Sequence, residues 1–257
     1  MLALALLSTG LLVGILGAIL GLGGGIFLVP VLTLILHLPI HIAIGASLMG
    51  VIATSAGVAA VAVPGQGADV GLALRLEMVT AAGAITGSWL AGRVSAQVLS
   101  LLFSLVVFVT AMYILYKDRY QARHQEPESL FRAYRPRRWS IGMAVSSVAG
   151  IVSGLLGVGG GFIKVPIMYA VMDVPLGTAT ATSNFMVGIT AAASVFVYYG
   201  RGDIVPWVVI PTTLGVFIGA IVGVYMLRRL QVAWLRKALI GLLLVMGVQM
   251  LLRGIRS

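Results

Sequence analysis

A chain of 257 residues that is 60% hydrophobic and 9% charged, with mean hydropathy +1.09, is far more apolar than a soluble domain. Soluble domains run at about 45–50% apolar and about 25% charged. The composition leaves no room for a soluble domain and defines a polytopic membrane protein, while the lack of cysteine excludes disulfides, thiolate chemistry and Cys-ligated metal. The formal charge of +10 would suit nucleic acid, but seven of the seventeen Lys and Arg lie in one polar stretch, Lys117 to Arg138, with His124 and three acids, which reads as a cytoplasmic loop rather than a nucleic-acid surface.

Apolar segments fall at about 2–20, 23–36, 41–63, 70–91 and 98–116, then 139–156, 160–172, 176–199, 204–226 and 232–252. Their length and helical rather than alternating character predict an all-α polytopic membrane protein and argue against a β-barrel. Met1 to Leu20 lacks the basic start and Ala-x-Ala site of a cleavable signal and reads as the first membrane segment. Two glycine-rich stretches interrupt the apolar runs, Gly21-Leu-Gly-Gly-Gly-Ile-Phe-Leu-Val-Pro30 and Gly157-Val-Gly-Gly-Gly-Phe-Ile-Lys-Val-Pro166.

One constant offset, that from Gly21 to Gly157, aligns the two without a gap from Gly14 to Ala56. It pairs Gly14-Ile15 with Gly150-Ile151, Val29-Pro30 with Val165-Pro166, Pro39 with Pro175, Ser47 with Ser183 and Thr54 with Thr190. Beyond it a small shift matches Gly65-Gln-Gly-Ala-Asp69 with Gly200-Arg-Gly-Asp203, and Gly83, Gly87, Ala91 with Gly215, Gly219, Gly223. The chain thus divides into a first transmembrane repeat, 1–116, a basic cytoplasmic linker, 117–138, and a second transmembrane repeat, 139–257.

The first two segments of each repeat are joined only by the glycine stretch, and the second is too short to span a bilayer core of about 30 Å at about 1.5 Å per residue. They predict a broken-helix hairpin that ends on the side where it began. Three further spans then make the repeats inverted in topology, of about five helical segments each, with both termini outside a cell membrane. Arg75, Arg228, Arg229, Arg236 and Lys237 fall inside with the linker, against Arg93, Arg201, Arg253 and Arg256 outside, in keeping with the positive-inside rule.

Each short helix begins with unbonded amides and a positive dipole end, and glycine lets the backbone approach a ligand closely. Gly23, Gly24, Gly25 and Gly159, Gly160, Gly161 are therefore expected to form an anion cradle, the competing reading being close helix packing. Lys164, whose repeat partner is Leu28, would hold the anion, or else snorkel to the headgroups. Ser47, Ser183 and Asn184 would add polar donors, with Thr54, Ser55, Thr182 and Thr190 at matched depth, and Glu77 is the best carboxylate for ion coupling. Asp69 and Asp203 are expected to cap helices. His37, aligned with Asp173, and His41 would sit in turns near an interface, and the Gly-x3-Gly series would mark close helix contacts. No zincin, Walker, Rossmann or nucleophile-elbow pattern stands in a fitting context, so neither an enzyme nor a cofactor or metal is expected.

The duplicated Gly-x-Gly-Gly-Gly-x-x-x-Val-Pro element, Pro39 and Pro175, the Ser183-Asn184 pair and the central basic loop resemble the sulfite exporter TauE/SafE family of small permeases, over essentially the whole chain. The resemblance implies plasma-membrane secondary transport of sulfur-containing anions such as sulfite or organosulfonates, driven by a coupling ion, H+ or Na+. Leu48 opposite Asn184 and Leu28 opposite Lys164 depart from symmetry and would make the site lopsided. A passive anion channel built on the same cradle is the alternative function, and a membrane-embedded assembly or sensor subunit a third.

Overall fold

The structure, a computed structural model, describes residues 2–20, 23–61, 68–123, 134, 136–227 and 232–256. Gly21, Leu22, the Gly65-Gln66-Gly67 turn, Arg228, Arg229 and most of the linker lie outside the described residues. Those described form α1 (Leu2–Leu20), α2 (Gly25–Pro30), α3 (Ile40–Val61), α4 (Val70–Ala91), α5 (Ala96–Arg123), α6 (Trp139–Leu156), α7 (Gly161–Ala170), α8 (Leu176–Gly200), α9 (Pro206–Leu227) and α10 (Val232–Arg256). There is no strand among them. Six helices, α1, α3, α4, α6, α8 and α9, are long and apolar enough to cross a membrane. Helix α5 continues to Arg123, past the expected end at 116.

The surface is the reverse of a soluble protein's. Leu4, Met78, Met112, Phe196 and Ile255 point outward, while Thr33, Ser47, Thr80, Ser88, Thr190 and Ser194 are buried. In hydrocarbon the backbone must satisfy itself, which helices do, and buried hydroxyls do the same by bonding carbonyls: Thr80 to Leu76, Ser88 to Ala84, Ser194 to Thr190.

From the glycine bends onward, element starts keep one spacing. Helices α2 and α7 begin at Gly25 and Gly161, α3 and α8 at Ile40 and Leu176, α4 and α9 at Val70 and Pro206, α5 and α10 at Ala96 and Val232, so that every pair repeats the offset of the glycine stretches. The turns after the short helices match in detail. His37 and Asp173 both take left-handed backbone, φ 54 and 56, and Leu38 N bonds Leu32 O as Val174 N bonds Met168 O. The short helices themselves differ, because α2 widens after Pro30 into a π-helical turn, Val31–Ile35, whereas α7 runs through Pro166 to Ala170.

Among the contacts that join the halves, two are glycine-lined seams. Helix α1 lies along α9, and α6 along α4, each pair parallel. A Cβ on Gly83 or Gly87 would run into the backbone at Ser147 or Ile151, and one on Gly150 or Gly154 into Thr80 or Ala84. In the other seam Gly215, Gly219 and Gly223 meet Leu7, Leu11 and Ile15, while Gly10 and Gly14 meet Thr212 and Val216. Lipid supplies no hydrophobic drive between helices, so dispersion across closely approached backbones carries the association. The close contacts expected at these glycines are present. Their register differs from the expectation, however, because Gly83 faces Ser147 as Gly219 faces Leu11. At the constant offset, the counterparts of Gly83 and Gly87 are Gly219 and Gly223.

One end of the bundle gathers the linker residue Tyr134 against Asp69, Arg75 over the Trp139 ring at 5.4 Å, and Arg137 near Asp173 at 3.9 Å. The other gathers Arg201, which bonds Asp203 and Ser88 O, Arg93 over Trp89, and the His41 ring 3.2 Å from Ala91 O.

Gly87→Ala should open the α4–α6 seam and lower stability by about 1–3 kcal/mol, the usual cost of overpacking. Gly241→Ala, where nothing lies within 4 Å, should leave it unchanged. Thermal unfolding of the two variants in detergent compares them directly.

Candidate functional site: two glycine bends and a buried ion pair

Both bends are built from left-handed glycines. Gly23 and Gly24 have φ 78 and 74, and Gly159 and Gly160 have φ 82 and 71, values that residues with a Cβ adopt only under strain. Gly24 and Gly160 cap α2 and α7, their carbonyls accepting from the amides of Phe27 and Leu28, and of Ile163 and Lys164. The chain therefore reverses and restarts as a helix inside the protein, with Gly23–Gly25 and Gly157–Gly161 all buried.

The bends converge. A Cβ on Gly23 or on Gly159 would stand 2.8 or 2.6 Å from the same Val187 methyl, with Val51 at 3.4 and 3.2 Å. Val51 and Val187 are themselves counterparts at the constant offset and nearly inaccessible, so this valine pair closes the meeting point between α3 and α8. Gly25 abuts the carbonyl of Gly157, and Ser47 Oγ donates to that carbonyl at 2.7 Å, with Gly25 O at 3.3 Å. Ser47 thus ties the bends together. Ser183, its counterpart, is buried with no hydrogen-bond partner for its hydroxyl. Asn184 is half-buried, and its backbone carbonyl accepts from Ser55 Oγ at 2.8 Å.

Lys164 does not reach headgroups. It is 1% exposed, and its Nζ lies 3.2 Å from Glu77 Oε2 and 2.7 Å from Thr190 Oγ1. Thr190 donates to Glu77 Oε1 at 2.5 Å and closes a three-membered network linking α4, α7 and α8. The cation that stood alone in the sequence is half of an ion pair, and Glu77 turns toward it rather than toward Arg75. At the same offset the first half carries Leu28 and Thr54 for Lys164 and Thr190, and the second carries Thr213 for Glu77. Leu28 is apolar, Thr54 Oγ1 bonds Gly50 O, and Thr213 Oγ1 is buried without a partner. The same frame therefore packs this position with and without charge.

Of the two acids expected to cap helices, Asp69 does so, accepting from Leu72 N at 2.9 Å. Its backbone amide donates to Thr182 Oγ1, and Tyr134 Oη donates to its other oxygen at 2.6 Å. Burial pushes the Asp69 carboxyl up, but hydrogen bonds from Tyr134, Leu72 and Gly71 and the nearby Arg75 charge outweigh it and hold the group below its ordinary 3.8. Burial and the Asp69 carboxylate raise the Tyr134 phenol in turn. Asp203 caps nothing: α9 starts at Pro206, and Asp203 is paired with Arg201 at 2.7 Å. No group of three or more His, Cys, Asp or Glu that could hold a metal ion occurs among the described residues.

Apolar helices around a polar, ion-paired interior with two interrupted helices are the construction of a membrane transporter. The chain belongs to the sulfite exporter TauE/SafE family, whose profile matches residues 6–250. It is 24% identical to the probable membrane transporter protein YunE of Bacillus subtilis (strain 168), over 98% of both chains. It is 31% identical to a probable membrane transporter protein of Xylella fastidiosa (strain 9a5c), over 84% of this chain and 80% of the relative. No solved structure matches it.

Val51, Val187 and Tyr134 have parts in this site that the sequence did not single out. The constant offset pairs the two valines. Nothing in the sequence brings Glu77 to Lys164.

Lys164→Met alone leaves the Glu77 carboxylate buried and unpaired, which should cost about 3–5 kcal/mol of stability. Adding Glu77→Gln, which makes the network neutral, should recover most of that loss. Unfolding midpoints of the single and double variants check both expectations.

Proposed function

We propose that the protein is a secondary transporter of small sulfur-containing anions such as sulfite or organosulfonates. It works by alternating access around the two glycine bends. The observation that carries the reading is the convergence of Gly23 and Gly159 on one valine pair, because two interrupted helices that meet inside a bundle are a recurrent transporter site. Helix N-termini and close glycine backbone favour an anion there. The substrate-binding set is Gly23, Gly24, Gly25, Gly159, Gly160, Gly161, Lys164, Ser47, Ser183 and Asn184, with Glu77 serving the coupling ion.

The repeats, 1–116 and 139–257, are inverted about the linker 117–138. Helix α9 starts at the Arg201–Asp203 turn, beside the C-terminal end of α4, and α1 runs parallel to α9, whereas α6 runs parallel to α4. This arrangement supports repeats that start from opposite ends of the bundle. The bias of basic residues puts the linker in the cytoplasm and both termini outside the cell membrane. A C-terminal fusion reporter that reads cytoplasmic would refute this orientation.

Purified protein should gain thermal stability from at least one of sulfite, sulfate, thiosulfate, sulfoacetate, taurine and chloride, by about 3 kcal/mol at a hundredfold excess over Kd. Gly159→Ala, which drives a methyl into Val187, should abolish that gain. Stabilisation by none of the six removes the anion reading. Flux in vesicles that never saturates would favour a passive channel.

A further inference from the structure

We propose that Glu77 and Lys164 exchange partners during transport: a proton neutralises Glu77 as the anion takes its place beside Lys164. One proton then moves with each monovalent anion, and the buried site keeps the same net charge before and after. The inference rests on the anion-transporter reading and adds the coupling ion and its stoichiometry.

The fold does not require this pair. The symmetry-related position is built from Leu28, Thr54 and Thr213, and the helices start in the same places. A buried ion pair is weak evidence for stability, since a well-packed neutral set of similar volume often serves as well. The charges therefore call for a reason other than packing.

The surroundings leave few ways to rearrange them. Helix α6, which packs along α4, carries no charged or titratable side chain, and α8 carries only Tyr198 and Tyr199. Helix α7 carries Lys164 and Tyr169. Asp69 is engaged at the start of α4 by Tyr134 and Leu72, and Arg75 lies against Trp139. Among the described residues Lys164 is thus the one cation facing Glu77. An anion that drew Lys164 away without a proton would leave a bare carboxylate in the membrane interior, at a high desolvation cost. Protonated Glu77 is neutral and keeps Thr190 as a hydrogen-bond partner.

Donors are also available on the Lys164 side. Gly160 caps the ten-residue α7, and the Ser153 Cβ lies 3.5 Å from where a Cβ on Gly160 would stand. The hydroxyls of Ser153 and Ser183 are buried and without partners, and Ser183 is one turn before Val187 on α8. In the first half the matching residues are Gly17 and Ser47, and the Ser47 hydroxyl is engaged by Gly157 O. The second bend, one helical turn from Lys164, is therefore where the anion is received.

Calorimetry with methanesulfonate, a monoanion that does not titrate near neutral pH, in buffers of different ionisation enthalpy counts protons taken up on binding. Wild-type protein should take up one proton per anion, and its affinity should weaken by up to about tenfold per pH unit as pH rises. Glu77→Gln should bind with no proton uptake and no pH dependence. Glu77→Gln combined with Lys164→Met should fold and lose binding at least a hundredfold.

Wild-type binding without proton uptake, or undiminished uptake in Glu77→Gln, overturns the exchange and leaves the anion reading standing. If another of the six anions binds instead, it is measured in the same way with its own titration subtracted. If wild-type protein binds none, both readings fall together. The wild-type proton count decides the matter even if a variant does not fold.

Discussion

A helix that stops inside a helical bundle strands amide and carbonyl groups where no water can reach them, and the centre of this protein is built to meet that constraint. The two interrupted helices stop against each other. Gly25 abuts the Gly157 carbonyl, Ser47 donates to the same oxygen, and Gly23 and Gly159 press on one valine pair. Only glycine permits both the left-handed backbone and the closeness, so the four residues Gly23, Gly24, Gly159 and Gly160 are fixed by geometry before any ligand is considered. The rest of the bundle holds the two bends in register, by seams in which backbone meets backbone without intervening side chains.

Upon this near-symmetric frame the chemistry is one-sided. Lys164, Glu77 and Thr190 form a closed network, where the symmetry-related position has Leu28, Thr213 and Thr54. The two ends also differ, with Asp69 held by linker Tyr134 at one and Arg201 joined to Asp203, Tyr198 and Ser88 at the other. The repeated spacing accounts for the scaffold, and departures from it coincide with the buried and end-of-bundle charges.

Much of the scaffold was legible beforehand because it depends on local signals. Apolar runs of helical length and glycine clusters that no membrane helix needs placed nearly every element within a few residues. The duplication is legible too, yet in α4 and α9 the glycine match in the sequence lies one helical turn from the register the structure shows. A Gly-x3-Gly series returns to the same helix face at each step, so a slip of that size still looks like a match, and only the facing residues, Ser147 for Gly83 and Leu11 for Gly219, resolve it. Asp203 resembled a cap because it precedes a helix, but its Arg201 neighbour two residues away claimed it first. Lys164 was legible as an oddity and not as a partner. Glu77 lies 87 positions earlier, and the two meet only in the fold, where α7 and α4 both pack against α8.

The parallel seams bear on how the molecule is made. Helix α1 docks along α9, the fourth helix of the opposite half, so its row of small residues has no home until most of the chain has been synthesised. At about 5–20 residues per second, the interval is on the order of ten to forty seconds. Through that time α1 must wait in the bilayer with its glycine face against lipid. The first half is therefore without the main packing partner of its first helix until α9 has been made.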